Sequence, residues 1–544
     1  MPRMTGGEAL AKQLHREGVR VVFGLPGVQL YGAMAALRDE KDIRFILTRH
    51  EQATTYMADG YARAGGGIGV AVAVPGPGLL NASAGLNTAY SASSPVLLIA
   101  GQVPRNQIGK KIGVLHELDN QLDAIAGSTK WRQTIMQVAD TPRIVHEAFG
   151  QLRSGRPRPV AIDMPWDTME EEVDVTLPAA GPHPARAAAP AADIDRAAEA
   201  LLRAQRVAIY AGGGVHLSGA HAALAAVAEH LQAGVVETAE GKGAISDASD
   251  LSLGAGLFPK SPLRRYLDAA DIILAVGSRC AIAMFPPEQQ VIQIDADADE
   301  IGRNHKKTTG LVGDAQATLE ALLERLRAGG KPRASQKAER EKIRDEVASF
   351  MTQEPNSSIL RSLRQGIPQD ATVIAGMTQI GYFSRPFFPV YHPRTYITSS
   401  YSGNLGFEYP TALGAKVATP NRPVVMISGD GGFLYYAQEM ATAVQQGINV
   451  VAVVFNDNAY GNVARDLDEH WGGKFAAELH NPDFVRLAEA YGAVGRRAKE
   501  PAEVGKLIAD AIQMDRPVLI EVPVGRMARP VFFSPLKTLP RYQH

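Results

Sequence analysis

Two carboxylates and a glycine turn mark the stretch best equipped for chemistry. Asp430 lies in Gly429-Asp430-Gly431-Gly432, and Asp457 follows 27 positions later in Asn456-Asp457-Asn458. Each aspartate closes a short β-branched or apolar run, 424–428 and 449–455. Residues 433–446 between them have helical spacing and end at Gly447, a residue suited to the left-handed turn that closes a helix. Strand, turn, helix and strand make a βαβ unit, so the two strands are parallel and both aspartates reach one sheet edge. Open α/β sheets bind ligands at that edge. Two carboxylates in an amide-rich loop without Cys or His suit a hard cation such as Mg²⁺. Free N–H groups of a glycine turn at a helix start suit phosphate. GDG alone is an ordinary tight turn. The second aspartate, at the end of the next strand, points instead to a metal-bridged diphosphate.

The elements that must position these groups recur along the chain. At 544 residues the sequence exceeds one hydrophobic core and predicts three domains, 1–176, 194–330 and 356–530. In the first, Thr5 and Glu8 have capping-box spacing. Strand-like runs at 19–23, 45–48, 69–74 and 96–100 alternate with helical ones, and His50-Glu51 opens a helix. Residues 177–193 are Pro/Ala-rich and read as a linker. The second domain alternates likewise, with strands at 207–210, 272–276 and 291–295; its Gly212-Gly213-Gly214 misses the G-x-G-x-x-G register. Residues 331–354 are charged and read as an exposed connecting helix. Such alternation predicts α/β domains, each a doubly wound parallel sheet.

Composition excludes several roles. A net charge of −1 gives no electrostatic case for nucleic acid or an anionic membrane. The single cysteine, Cys280, forms no disulfide framework and fits a reducing cytoplasm. The opening MPRMTGGEAL has no signal-peptide core. No run reaches the ~18 apolar residues of a membrane helix.

The pattern GDG, about two dozen residues, then Asn-Asp resembles the cofactor motif of thiamine-diphosphate enzymes. The whole chain is similar to their acetolactate synthase and pyruvate decarboxylase group. The resemblance implies Mg²⁺ held by Asp430, Asp457 and the carbonyl of Ala459. It implies thiamine diphosphate contacted by Gln379, Gly403, Leu405, Gly429, Gly431, Gly432 and Tyr460, with Leu405 as the wedge that bends the cofactor. Glu51 lies in Arg49-His50-Glu51-Gln52-Ala53 through Asp59-Gly60-Tyr61-Ala62-Arg63, the family's glutamate neighbourhood. An acidic residue opening a helix is ordinarily a solvated charge favoured by the dipole. Here the resemblance makes it the group that shares a proton with the cofactor's pyrimidine, so that the ring itself can remove the C2 proton.

The loop 113–120 resembles the family's active-site loop and makes His116 the candidate for polarising a substrate carbonyl. Acetolactate synthases carry Gln there and some decarboxylases His. Val28, Gln29 and Val463 complete the implied substrate pocket. Plain decarboxylases carry acids at the positions of Val28 and Val463. Two valines therefore imply a carboligase: a 2-oxo acid loses CO₂, and the remaining carbanion attacks a second carbonyl. A non-ligating decarboxylase or a C–C lyase is the alternative. A non-catalytic cofactor-binding homologue is opposed by intact Glu51, Asp430 and Asp457. The resemblance implies a homodimer at least, and usually a homotetramer, because Glu51 of one subunit serves the cofactor of another. FAD stays open, since some members hold it in the middle domain and others nothing. Relatives usually have Asn at the position of Asp457 and Gly at that of Glu408, and nothing in the sequence explains the glutamate.

Overall fold

The computed structural model describes residues 2–178, 186–350 and 352–530. The described residues form three six-stranded sheets and one small ribbon pairing Arg3–Thr5 with Glu172–Asp174. All pairings within the three large sheets are parallel. Helices lie between most successive strands, as buried strands of nearly continuous Val, Ile and Ala require.

The first sheet runs in the order Arg44–Leu47, Val21–Gly24, Gly69–Ala73, Val96–Gln102, Val160–Pro165, Trp131–Thr134. The last runs Tyr396–Ile397, Thr372–Ala375, Val424–Gly429, Val451–Asn456, Val518–Pro523, Val494–Arg497. Numbered along the chain, both orders read alike. In each, the connection reverses direction between the first and third strands, which opens a crevice at the carboxyl ends. The middle sheet runs Ser252–Ala255, Val235–Glu237, Val207–Ala211, Ile272–Val276, Gln290–Asp295, Thr308–Val312. Its reversal falls between the strands ending at Ala211 and Val276.

The capping box forms as its spacing predicts: Thr5 Oγ1 accepts from the Glu8 N–H at 3.2 Å, and Glu8 Oε2 accepts from the Thr5 N–H at 2.7 Å. Gly447 closes its helix with φ of +64°. Three expectations need correction. Residues 433–446 are not one helix: Asp430–Phe433 makes a single short turn, the chain bends through 434–438, and Glu439–Gln446 follows. The buried Tyr436 side chain occupies that bend. The charged connecting segment does contain a helix, Lys337–Phe350, yet one face is covered. There Arg340 is only 2% exposed, with its guanidinium on Asp250 and on the carbonyls of Gln232 and Asp250. The linker ends early, because the helix Ala191–Arg203 begins inside it, and its residues 179–185 lie outside those described. Among the described residues no helix is long and apolar enough to cross a membrane. Cys280 is buried and free.

The first and last domains share one core, in which Phe23, Tyr56, Met57 and Leu86 join Phe407, Leu413, Phe433 and Met440. The helices Glu51–Tyr61 and Glu408–Ala418 cross at its centre. A Cβ on Gly60 would lie 2.0 Å from the Thr411 carbonyl oxygen, and one on Gly414 would lie 1.9 Å from that of Met57. Backbone meets backbone, with no room for a methyl. Gly414→Ala is therefore expected to cost ~1–3 kcal/mol by overpacking. Gly150, inside the helix Thr141–Arg153, has nothing within 4 Å of its added Cβ. Gly150→Ala should be neutral or stabilise by ~0.5–1 kcal/mol, the helix-propensity difference. Denaturant midpoints of the two variants compare them directly; a Gly414→Ala midpoint at or above the parent's would show that the crossing tolerates a side chain.

Candidate active site

The crevice of the last sheet holds most of the predicted residues. Its walls include Gln379, Leu405, Gly429, Asp430, Gly431, Gly432, Asp457, Ala459, Tyr460 and Val463. Topology explains the gathering. The Met377–Gln379 loop leaves the strand Thr372–Ala375, the glycine turn leaves its neighbour Val424–Gly429, and Asp457 follows Val451–Asn456. Gly403 adopts φ of +65° at the end of the turn 400–402 and is not part of the lining.

Asp430 is 2% exposed and its carboxyl lies above the usual range because of burial. Asp457 is pushed up to about 6, first by burial and then by the neighbouring Asp430 charge. Two buried carboxylates, one of which raises the other in a half-dry crevice, favour a cation between them. The donors that meet them are neutral amides. Asn481 Nδ2 donates to Asp430 Oδ2 at 2.6 Å and to Asn456 Oδ1 at 3.0 Å, and the Ala459 N–H serves both aspartates. Ala459 pairs with Glu478 in an isolated antiparallel bridge whose bonds run from Tyr460 N–H to Ala477 and from Leu479 N–H to Asn458. Those bonds do not use the Ala459 carbonyl. Among the described residues no group of three or more His, Cys, Asp or Glu side chains is arranged to hold a metal. The donor set here is two carboxylates and a carbonyl, which suits Mg²⁺ rather than a softer ion.

Buried polar atoms in and beside the crevice lack partners within the protein. They are Gln379 Oε1, Asn481 Oδ1 and Glu408 Oε2. Such atoms are costly to bury unpaired. With a glycine turn whose Gly431 would drive a Cβ to 2.5 Å from the Tyr460 ring, they fit a close-lying polar ligand such as a metal-bound diphosphate.

The remaining predicted residues gather at the crevice of the first sheet. Glu51 opens the helix Glu51–Tyr61, its Oε2 accepts from Asn81 Nδ2 at 3.1 Å, and its side chain is 12% exposed. The helix from Pro77 begins beside it, where Gly78 would bring a Cβ to 3.5 Å from Glu51 Oε1. His116, at φ of +65°, lies over the Gly76 turn and contacts Gln29 Oε1 through Nδ1 at 3.1 Å. Gln29 Nε2 donates to the Leu115 carbonyl. Gln29 therefore offers its oxygen to His116, so Nδ1 carries the proton and neutral Nε2 presents a lone pair. Val28 opens the adjoining 3-10 turn and is partly exposed. Among the described residues, none of the first domain lines the last-sheet crevice. Within one chain, Glu51, Val28, Gln29 and His116 thus stand apart from Asp430, Asp457 and Val463.

Three family descriptions match in register with this architecture. "Thiamine pyrophosphate enzyme, N-terminal TPP binding domain" covers residues 4–126, the central domain 194–322, and the C-terminal TPP binding domain 376–522. The chain is 32% identical to a "Probable acetolactate synthase large subunit" of Methanococcus aeolicus, over 95% of this chain and 92% of that one. It is 34% identical to a "Probable 2-ketoarginine decarboxylase AruI" of Pseudomonas aeruginosa, over 95% and 94%. It is 31% identical to the "Acetolactate synthase isozyme 3 large subunit" of Escherichia coli, over 96% and 95%. The chain belongs to the thiamine pyrophosphate enzyme family.

In this thiamine pyrophosphate enzyme, Glu51, His116, Val28 and Gln29 fall in the N-terminal match and the Asp430 crevice in the C-terminal one. Sequence reasoning missed Asn481 and Asn81. Both are polar residues in loops or on helices far from the motifs, and no spacing rule singles them out. At the middle-sheet reversal, Gly212 and Gly214 would bring a Cβ to 2.4 Å and 2.5 Å from Gly277. Arg156 holds both oxygens of Asp295 there, at 2.7 and 2.8 Å. Those glycines serve backbone packing.

Proposed function

We propose that this protein decarboxylates a 2-oxo acid with thiamine diphosphate and Mg²⁺ and ligates the product fragment to a second carbonyl, as an acetolactate-synthase-like carboligase. The observation that carries the ligation reading is the valine pair. Val463 stands in the wall of the crevice, and Val28 stands free at the edge of the first sheet. Apolar walls offer no proton to a basic carbon. The acetolactate synthases among the relatives agree with it. The second reading, decarboxylation without ligation, draws on the relative named a probable 2-ketoarginine decarboxylase.

When bound, thiamine diphosphate supplies the sink for the electron pair that decarboxylation leaves behind. The chain's own residues place it. Asp430, Asp457 and the Ala459 carbonyl would hold the metal; the glycine turn and Gln379 would hold the diphosphate; Leu405 and Tyr460 would contact the organic part of the cofactor. Glu51 would share a proton with the pyrimidine, and His116, held by Gln29, would orient the substrate carbonyl. Because Glu51 and Asp430 lie on separate edges of one chain, the complete site is assembled from two subunits, and a homodimer or a pair of dimers is the working form. Exposed Tyr31 and Leu115 in the first domain, and Trp471 with Phe475 in the last, are apolar surface that assembly would cover. Decarboxylation and ligation change no net oxidation state, so FAD in the middle domain has no electron to carry. A reducing cytoplasm suits the free Cys280.

Three outcomes test this reading. Asp430→Ala should abolish Mg²⁺-dependent binding of thiamine diphosphate, read by titration with and without the metal, while Asp457→Asn stays mild. Glu51→Gln should keep the fold and cofactor affinity but slow deuterium exchange at cofactor C2; an unchanged rate removes Glu51 from the mechanism. The reaction itself is read by supplying 2-oxo acids with excess carbonyl acceptor and identifying products by mass spectrometry. Ligated product should dominate, and Val28→Asp with Val463→Glu should move the partition toward free aldehyde. A tenfold move needs only ~1.4 kcal/mol between two barriers. Predominant aldehyde release by the parent would replace the carboligase reading with the decarboxylase one.

A further inference from the structure

Glu408 opens the helix Glu408–Ala418, is 1% exposed, and lines the same crevice as the glycine turn and Gln379. Its Oε1 accepts from the Met377 N–H at 3.0 Å, and the nearby Glu408 and Gly406 N–H groups also favour its charge. The fit there is close: a Cβ on Gly376 would lie 2.2 Å from Oε1, and one on Gly432 would lie 3.9 Å away. The carboxyl is thus wedged between the Met377–Gln379 loop and the Asp430 turn, the two loops that face a diphosphate. Its other oxygen, Oε2, is buried without a partner.

We propose that Glu408 serves the cofactor as a neutral carboxylic acid, with Oε1 fixing the Met377 amide and the Oε2 hydroxyl donating to an oxygen of the bound diphosphate. The inference rests on the thiamine diphosphate reading above. An ionised carboxylate in that place would share the crevice with a diphosphate and two aspartates, all negative, with Oε2 unsatisfied. Protonation turns the orphan acceptor into a donor and removes one like charge. The surroundings permit it. Tyr382 and Arg385 approach from the helix Gln379–Phe387, Tyr436 from the bend after the glycine turn, and Tyr56 from the helix Glu51–Tyr61; Arg385 is the one cation among them and favours ionisation only as the least of the causes acting on Glu408. Burial pushes the free carboxyl up to about 7, so it is largely ionised at pH 8 and must gain a proton as the anion enters.

Calorimetric titration of the intact protein with thiamine diphosphate at saturating Mg²⁺, repeated in buffers of different ionisation enthalpy, counts that proton. Contributions from Asp430, Asp457 and the cofactor are common to parent and Glu408→Gln and cancel in the difference. At pH 8 the parent should take up about one proton more than the variant, and at pH 6 almost none, by ordinary titration about a value near 7. Parent affinity should fall about tenfold more than the variant's from pH 6 to 8. Gln keeps an acceptor and a donor without titrating, so a purely structural glutamate would leave both differences at zero. Equal proton counts in the two proteins overturn the proposal while leaving the cofactor reading intact. Absence of cofactor binding by the parent removes both. If Glu408→Gln does not fold, the infrared difference spectrum of Glu51→Gln on binding at pH 8 decides, because it removes the other carboxyl that shares a proton with the cofactor: a gained protonated-carboxyl band supports the proposal, and none overturns it.

Discussion

Everything at the two sheet edges depends on the backbone contact between the helices Glu51–Tyr61 and Glu408–Ala418. Gly60 and Gly414 let the helices touch through carbonyl oxygens, so the angle and depth of the crossing are set by main chain rather than by adaptable side chains. Each helix begins with a glutamate. Glu51 stands at the crevice of the first sheet, and Glu408 lines the crevice of the last. A rigid crossing therefore fixes two acidic groups that the proposed function assigns to different halves of a composite site. A buried hydrogen-bonded layer reinforces it: the Arg49 N–H donates to Glu439 at 3.0 Å, and Tyr56 meets Tyr436 edge to face at 5.5 Å.

Burial of acids accompanies this arrangement. Glu408 and Glu439 are both pushed up to about 7 and Asp457 to about 6, chiefly by desolvation. The three are not equivalent. Glu439 has its oxygens occupied, by the Arg49 N–H and the Thr442 hydroxyl. It is a strut. Glu408 keeps one oxygen without a partner in the protein, and it lines the crevice with Asp457. Protein interiors complete their polar groups unless something else does so, which places the missing partner outside the polypeptide.

Much of this is legible in the sequence because apolar-run and glycine signals survive burial. The runs ending at Ala73, Gln102, Gly429 and Asn456 lie within a residue or two of where the sequence puts them, and they set the edge on which Asp430 and Asp457 meet. The capping box at Thr5 is local chemistry and forms as its spacing requires. What escapes is set by tertiary contact. The break at 434–438 follows from seating Tyr436 against Tyr56, which helical periodicity does not record. Arg340 reads as a surface charge until Asp250 and Gln232 are folded beside it. Glu408 looks anomalous in the chain because a sequence shows a carboxyl but not its one satisfied and one empty oxygen.

The division of the site has its own physical logic. The first and last sheets share a strand order, so each offers a crevice at the same topological position. One chain joins them side by side through the shared core, and that joining occupies the faces on which the helices cross. It leaves the two crevice edges open, with Val28 and Glu51 on one and Val463 and Asp430 on the other. On the two-subunit reading proposed above, a second copy presents the complementary edge, and assembly is not an addition to a finished site but the step that creates the water-poor space in which a proton-free valine wall has any effect.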